Sequence, residues 1–170
     1  KIGKQLTGIV PQEGSVRGGT SLPKLLNTLS RLGLAGLENL AGIPGTVGGA
    51  ISTNAGIPSF SIGEALKAVR VFKGGEVAWL SREEISFSYR ETSLGEAVIL
   101  EAIFNLIPDS PSKIRERLQN VLLRRKASQP IKAHSAGCIF KNPPFASAGK
   151  LLDEAGAKGM RQGGAYVSHK

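Results

Sequence analysis

The residues of this sequence best suited to chemistry are one thiol, Cys138, one arginine beside a tyrosine, Tyr89-Arg90, and an uncharged glycine-rich run from Ala41 to Gly56, AGIPGTVGGAISTNAG. A thiol releases a proton far more readily than a hydroxyl, so Cys138 can act as a general acid. A lone cysteine is more often a small buried hydrophobe. A guanidinium is a planar fork of fixed positive charge, suited to a carboxylate or another anion. The same side chain in a loop is ordinarily a solvated surface charge. Gly42, Gly45, Gly48, Gly49 and Gly56 let the backbone approach a ligand and turn N–H groups towards phosphate oxygens. Their spacing fits neither G-x-G-x-x-G nor the P-loop pattern, and a glycine cluster serves a plain turn as well as a nucleotide cradle. His134 and His169 stand in no metal-ligand spacing, so no bound metal is expected.

Several elements must position these groups. Ser21 can cap a helix that holds Pro23 in its first turn, places Leu22, Leu25, Leu26 and Leu29 on one face, and ends near Gly33. Leu66 to Phe72 and Glu76 to Leu80 read as a hairpin about Gly74-Gly75. Ser81 with Glu84 three residues on is a capping box, which explains Glu83 and Glu84 as helix N-terminal charges, and Tyr89-Arg90 follows in a loop. Ala97 to Ile107 is a further strand. After Pro108-Asp109-Ser110-Pro111 a helix carries Ile114, Leu118, Val121 and Leu122 and ends in Arg124-Arg125-Lys126. Ser147 opens a last helix stopped by Gly156, and Ala165 to Val167 begins a strand. The pattern predicts an α+β chain with a domain boundary near Pro111, giving domains over 1–110 and 111–170.

Composition sets wider bounds. The 170 residues are 41% hydrophobic, in the range of an ordinary soluble globular protein. The 22 Lys+Arg against 13 Asp+Glu give +9, a charge that attracts a pyrophosphate as readily as nucleic acid. No recognition module or aromatic stacking platform accompanies it, so no nucleic-acid partner is expected. One cysteine excludes an internal disulfide and suits a reducing cytosol. The uncharged run from Asn39 to Gly63 holds Pro44, Pro58 and scattered glycines and makes a poor membrane span. A start at Lys1 without Met and a stop at Lys170 just after a strand predict a piece of a longer protein.

The run GLENLAGIPGTVGGAISTNAG from Gly36 to Gly56 resembles the signature of the enolpyruvoylglucosamine reductases, and the resemblance extends from about Arg17 to Lys170. It implies part of a vanillyl-alcohol-oxidase-type (PCMH-type) FAD-binding domain followed by part of an α+β substrate-binding domain. It implies a cytoplasmic enzyme, with no membrane or obligatory protein partner, that uses FAD and NADPH to reduce UDP-N-acetylenolpyruvoylglucosamine to UDP-N-acetylmuramate for peptidoglycan. Ile43, Pro44, Gly45, Thr46, Gly48, Gly49 and Asn54 would lie along the FAD, chiefly by their backbones. Phe87-Ser88-Tyr89-Arg90 is similar to the family's aromatic-x-Tyr-Arg element, which implies that Arg90 stabilises an enolate and Tyr89 contacts substrate. Ser135 to Pro143, SAGCIFKNP, resembles a second signature in which the residue at 138, Ser or Cys, protonates the substrate carbon. In that register Lys126 and Asn142 would hold the sugar nucleotide. The family also has an earlier glycine- and serine-bearing flavin segment and a later glutamate that assists the enolate, and neither stands in this sequence.

Overall fold

The computed structural model describes residues 8–10, 15–128 and 137–169, which fall in two compact units, Lys1–Arg124 and Arg125–Lys170. In the first, strands β1 (Ile9–Val10) and β2 (Ser15–Arg17) precede helix α1 (Leu22–Leu32). Strand β3 (Leu34–Ala35) and a 3-10 turn, Glu38–Leu40, lead to α2 (Val47–Ser52), the hairpin β4 (Gly56–Ile57) and β5 (Phe60–Ser61), and the single-turn α3 (Ile62–Ala65). Strands β6 (Leu66–Lys73) and β7 (Glu76–Ser81) are followed by a 3-10 turn, Arg82–Glu84, and the small hairpin β8 (Phe87–Ser88) and β9 (Glu91–Thr92). Strand β10 (Val98–Phe104), β11 (Ile107–Pro108) and the long helix α4 (Pro111–Ser128) complete the run.

The main sheet is antiparallel in the order β1-β2-β10-β6-β7. Leu66, Val69 and Val71 of β6 and Ile99, Ala102 and Phe104 of β10 are buried, the odd spacing within each set coinciding with register shifts between Ile99 and Glu101 and between Ile103 and Phe104, and they join one core with the buried leucines of α1. Those leucines, Leu22, Leu25, Leu26 and Leu29, recur at helical spacing, and burying each contributes about 1.5–3 kcal/mol. The predicted caps hold α1 in register. Ser21 Oγ accepts the Lys24 N–H, and Gly33 at φ +69° returns its N–H to Leu29.

Gly74 and Gly75, at φ +60° and +88°, make the predicted tight turn between β6 and β7. The strand expected from Ala97 to Ile107 is divided. Asn105 turns its N–H to the Ala65 carbonyl, β10 ends at Phe104, and Ile107–Pro108 pairs separately with β3.

In the second unit Ser147 caps α5 (Ala148–Glu154) by accepting the Lys150 N–H, and Gly156 follows at φ +68°. Strands β12 (Arg161–Gln162) and β13 (Ala165–Tyr166) pair about Gly163-Gly164, with the Arg161 guanidinium 5.1 Å from the Tyr166 ring centre.

Candidate functional site

The glycine run is bonded to the connection between β2 and α1. Leu22 donates to the Gly45 carbonyl at 3.0 Å, Val47 to Thr20 at 2.9 Å, and Gly48 to Gly18 at 2.7 Å. Thr46 caps α2 by accepting the Gly49 N–H at 3.2 Å. Gly48 and Gly49 therefore spend their N–H groups on the chain itself. Gly48 also allows a close backbone crossing, since a Cβ there would stand 3.1 Å from the Gly18 carbonyl oxygen.

Gly45 is different. It sits at φ +117° with nothing within 4 Å of where a Cβ would project, and among the described residues none accepts the N–H of Gly45 or Thr46. This corner, next to Ile43 and Pro44, offers open space and two unspent donors.

Tyr89 and Arg90 form the two-residue turn between β8 and β9, in which Ser88 pairs with Glu91. Arg90 occupies the left-handed region at φ +59°, a conformation that costs a non-glycine residue about 1–2 kcal/mol and persists where the surroundings impose it. Its Nη2 donates to the Gly56 carbonyl at 3.3 Å, and its guanidinium lies 5.6 Å from the Tyr89 ring centre. Both side chains are exposed. The turn is thus anchored to the end of the glycine run, and Arg90 has donors remaining for an anion.

The anchor itself is made of groups whose partners are remote in sequence. Asn54, buried and at φ +42°, donates from Nδ2 to the Ser88 carbonyl at 2.8 Å and accepts the Gly63 N–H on Oδ1 at 3.3 Å. Arg82 donates to the Gly63 and Ile85 carbonyls at 2.6 and 2.9 Å and lies 4.6 Å from the Phe87 ring centre. Gly63 leaves room for that ring, because a Cβ there would meet it at 2.8 Å.

On the other flank of the run, Glu38 accepts the Gly36 N–H at 2.7 Å and an Arg117 Nε–H at 2.9 Å, and Arg117 also donates to Asp109 at 2.7 Å. Arg117 beside Asp109, with the Ser110 N–H, holds that carboxyl below its ordinary range, and the two carboxylates raise Arg117 in turn. The Ser81 N–H and hydroxyl likewise lower Glu84, which closes the predicted capping box.

Lys126 lies exposed near the end of α4. In the second unit Cys138 is a free, exposed thiol and Ile139 and Phe140 beside it are exposed too. Asn142 Oδ1 accepts the Ala148 N–H at 2.9 Å at the start of α5, so its amide N–H groups are the ones left for a ligand. Ser135, Ala136 and His134 lie outside the described residues. Among the described residues no group of three His, Cys, Asp or Glu side chains could hold a metal ion, and no helix is long and apolar enough to cross a membrane.

Residues 129–170 match the family described as UDP-N-acetylenolpyruvoylglucosamine reductase, C-terminal domain. The UDP-N-acetylenolpyruvoylglucosamine reductase of Moorella thermoacetica is 46% identical over 154 residues, covering 89% of this chain and 51% of the relative. That of Thermus thermophilus is 43% identical over 163 residues, covering 92% and 58%. The crystal structure of the reductase from Thermus caldophilus superposes with a TM-score of 0.88 at 41% identity, covering 99% of this chain and 62% of that one. The chain belongs to the UDP-N-acetylenolpyruvoylglucosamine reductase family. It spans about half the length of the curated relatives it matches.

Within that family framework, Asn54, Arg82 and Gly63 are the residues that sequence reasoning assigns to other roles or passes over. The resemblance implies a place for Asn54 along the FAD by its backbone, and its side chain joins three chain segments. An asparagine just before Ala-Gly is one available signal, because asparagine tolerates the left-handed region better than other non-glycine residues. Nothing local marks Arg82, whose contacts depend on the fold.

Proposed function

We propose that this chain supplies flavin-facing and substrate-facing elements of an FAD-dependent, NADPH-driven reductase that converts UDP-N-acetylenolpyruvoylglucosamine to UDP-N-acetylmuramate in the cytoplasm. The observation that carries the reading is the Tyr89-Arg90 turn, fixed against the end of the glycine run in a chain that also holds the Cys138 to Asn142 signature. In this reading residues 1–110 belong to a PCMH-type FAD-binding domain and 111–170 to a substrate-binding domain.

The residues present fit FAD. The open corner at Gly45 admits a flat or phosphate-bearing group, and Ile43, Pro44, Gly45, Thr46, Gly48, Gly49 and Asn54 would line it. When bound, FAD supplies a hydride from its N5 that originates in NADPH. The chain's own residues handle the substrate. Arg90 holds the enolpyruvyl carboxylate and balances the negative charge that grows on it as the methylene carbon is reduced. Cys138 donates its thiol proton to the adjacent carbon, giving the lactyl ether, and is returned to the thiol by solvent. Lys126 meets the diphosphate charge, Asn142 donates amide hydrogen bonds to the sugar nucleotide, and Tyr89 packs beside the substrate while facing the Arg90 guanidinium.

Steady-state turnover of the full-length protein with NADPH and the enolpyruvyl sugar nucleotide, with the product weighed by mass spectrometry, tests the proposal. A product two hydrogens heavier, formed in step with NADPH loss, is expected. NADPH oxidation with the sugar nucleotide unchanged would overturn it in favour of another flavin oxidoreductase of the same fold.

A further inference from the structure

The bonding around Asn54 points beyond a cofactor contact. Three chain segments meet at this one amide: the end of the glycine run, the start of α3 at Gly63, and the base of the β8–β9 turn at Ser88. The amide is buried and both its ends are used, a donor on the Ser88 carbonyl and an acceptor for the Gly63 N–H. Few side chains can do this. Aspartate offers no donor, glutamine is a methylene too long, and serine or threonine cannot span both partners. The backbone narrows the choice further, because φ +42° at position 54 is tolerated by glycine, asparagine and aspartate and by little else.

A second clamp, which shares Gly63 with the first, holds the base of the turn. Phe87 packs between Gly63 and the Arg82 guanidinium, and Arg82 ties the Gly63 carbonyl to that of Ile85. Ser86 and Ser93 close the base of the hairpin through the Ser93 N–H to the Ser86 carbonyl and the Ser86 N–H to Ser93 Oγ, both at 3.0 Å. The tip, Ser88 to Arg90, lies beyond these clamps. Two bonds tie it to the glycine run: the Asn54 amide at 2.8 Å and the longer Arg90 bond to Gly56 at 3.3 Å. The shorter bond is part-buried and the longer is exposed, so the amide dominates.

We propose that Asn54 is a positioning residue for the Arg90 guanidinium: its side-chain amide fixes the Ser88 carbonyl, and through it the Tyr89-Arg90 turn, against the end of the glycine run. The catalytic consequence rests on the function proposed above, whereas the positioning itself does not. With the amide in place Arg90 meets the substrate carboxylate without first being ordered; without it the turn samples other geometries and the guanidinium must be ordered at the moment of reaction.

The full-length protein carrying Asn54→Gly tests this, since glycine keeps the left-handed backbone and removes only the amide. Asn54→Asp, which keeps the acceptor and loses the donor, is the second variant should the first not fold. Hydrogen–deuterium exchange over residues 87–92 is expected to rise about tenfold in both variants while the β6–β7 hairpin is unchanged, the loss of one buried hydrogen bond being of that order. Unchanged exchange at 87–92 overturns the proposal, whatever reaction the protein catalyses. In the holoenzyme, reoxidation of reduced flavin by the enolpyruvyl sugar nucleotide should fall about tenfold more than flavin reduction by NADPH, and Asn54→Gly should add less than about twofold to the loss already caused by Arg90→Ala. Equal loss in both half-reactions, or losses that multiply with Arg90→Ala, would show that Asn54 does not act through Arg90. A wild-type protein that fails to reduce the sugar nucleotide would remove the proposed function and leave the exchange result to decide the positioning.

Discussion

Gly18 is where the glycine run is tied to the sheet, and a single methyl group there should loosen both. Its N–H donates to the Leu100 carbonyl at 2.8 Å and its carbonyl accepts the Gly48 N–H at 2.7 Å, so it bridges β10 and the start of α2. A Cβ at this position would stand 2.1 Å from the Ile99 carbonyl oxygen, where ordinary contact begins at 3.4 Å, so about 1.3 Å must be opened. The obstacle is backbone in a paired strand and cannot swing aside. Overpacking of this kind costs about 3 kcal/mol, offset by roughly 0.5–1 kcal/mol from the smaller entropy of the unfolded alanine chain. A net loss of about 2–3 kcal/mol corresponds to a fall in Tm of roughly 5–10 °C. Gly74→Ala is the control: it sits at φ +60° with open space around it, so it carries the left-handed penalty of about 1–2 kcal/mol less the same unfolded-chain offset, a net of about 1 kcal/mol or roughly 2–4 °C. Thermal unfolding followed by circular dichroism compares the two. Gly18→Ala as stable as wild type, or no less stable than Gly74→Ala, would refute the packing argument, and with it the claim that Gly18 sets the position of α2.

Arg90→Ala should lower sugar-nucleotide reduction by about 100- to 1,000-fold while flavin reduction by NADPH changes far less, as expected for a charge used only when the enolate forms; rapid mixing of the separate half-reactions measures both. Cys138→Ala should likewise spare flavin reduction and slow substrate reduction by at least about 100-fold, with Cys138→Ser recovering part of the rate, since either hydroxyl or thiol can deliver a proton. Equal loss in both half-reactions would sink the assignment of Cys138 as the acid. Because Arg117 and the Ser110 N–H hold the Asp109 carboxyl below its ordinary value of 3.8, its stabilising effect is complete above that value and is lost as pH falls through the lower folded one. Urea midpoints measured from pH about 5 down to about 2 should therefore decline less steeply in Asp109→Asn than in wild type.

The local elements were legible because their signals are local. Ser21, Pro23 and Gly33 bound α1, Gly74-Gly75 turns the β6–β7 hairpin, and Ser81 with Glu84 closes a capping box, each through contacts a few residues apart. What escaped depends on contacts remote in sequence. Glu38 meets Arg117 across 79 residues and Asn54 meets Ser88 across 34, and neither pairing leaves a periodicity or a motif. The strand expected to run on to Ile107 stops at Phe104 because Asn105 bonds to Ala65, again a distant partner. In the glycine run composition marks a segment of close backbone approaches but not the division of labour within it, in which Gly48 serves a backbone crossing and Gly45 faces open space. The likeness to the reductase family supplied chemistry for Arg90 and Cys138 that residue types alone left open between catalysis and an ordinary structural role.

The most direct test of the central claim is the visible absorption spectrum of the full-length protein, taken anaerobically before and after NADPH and again after UDP-N-acetylenolpyruvoylglucosamine. The account predicts flavin bands that bleach with NADPH and return on addition of the sugar nucleotide. A colourless protein that cannot be reconstituted with FAD, or a bleached flavin that the sugar nucleotide leaves unchanged, would contradict it.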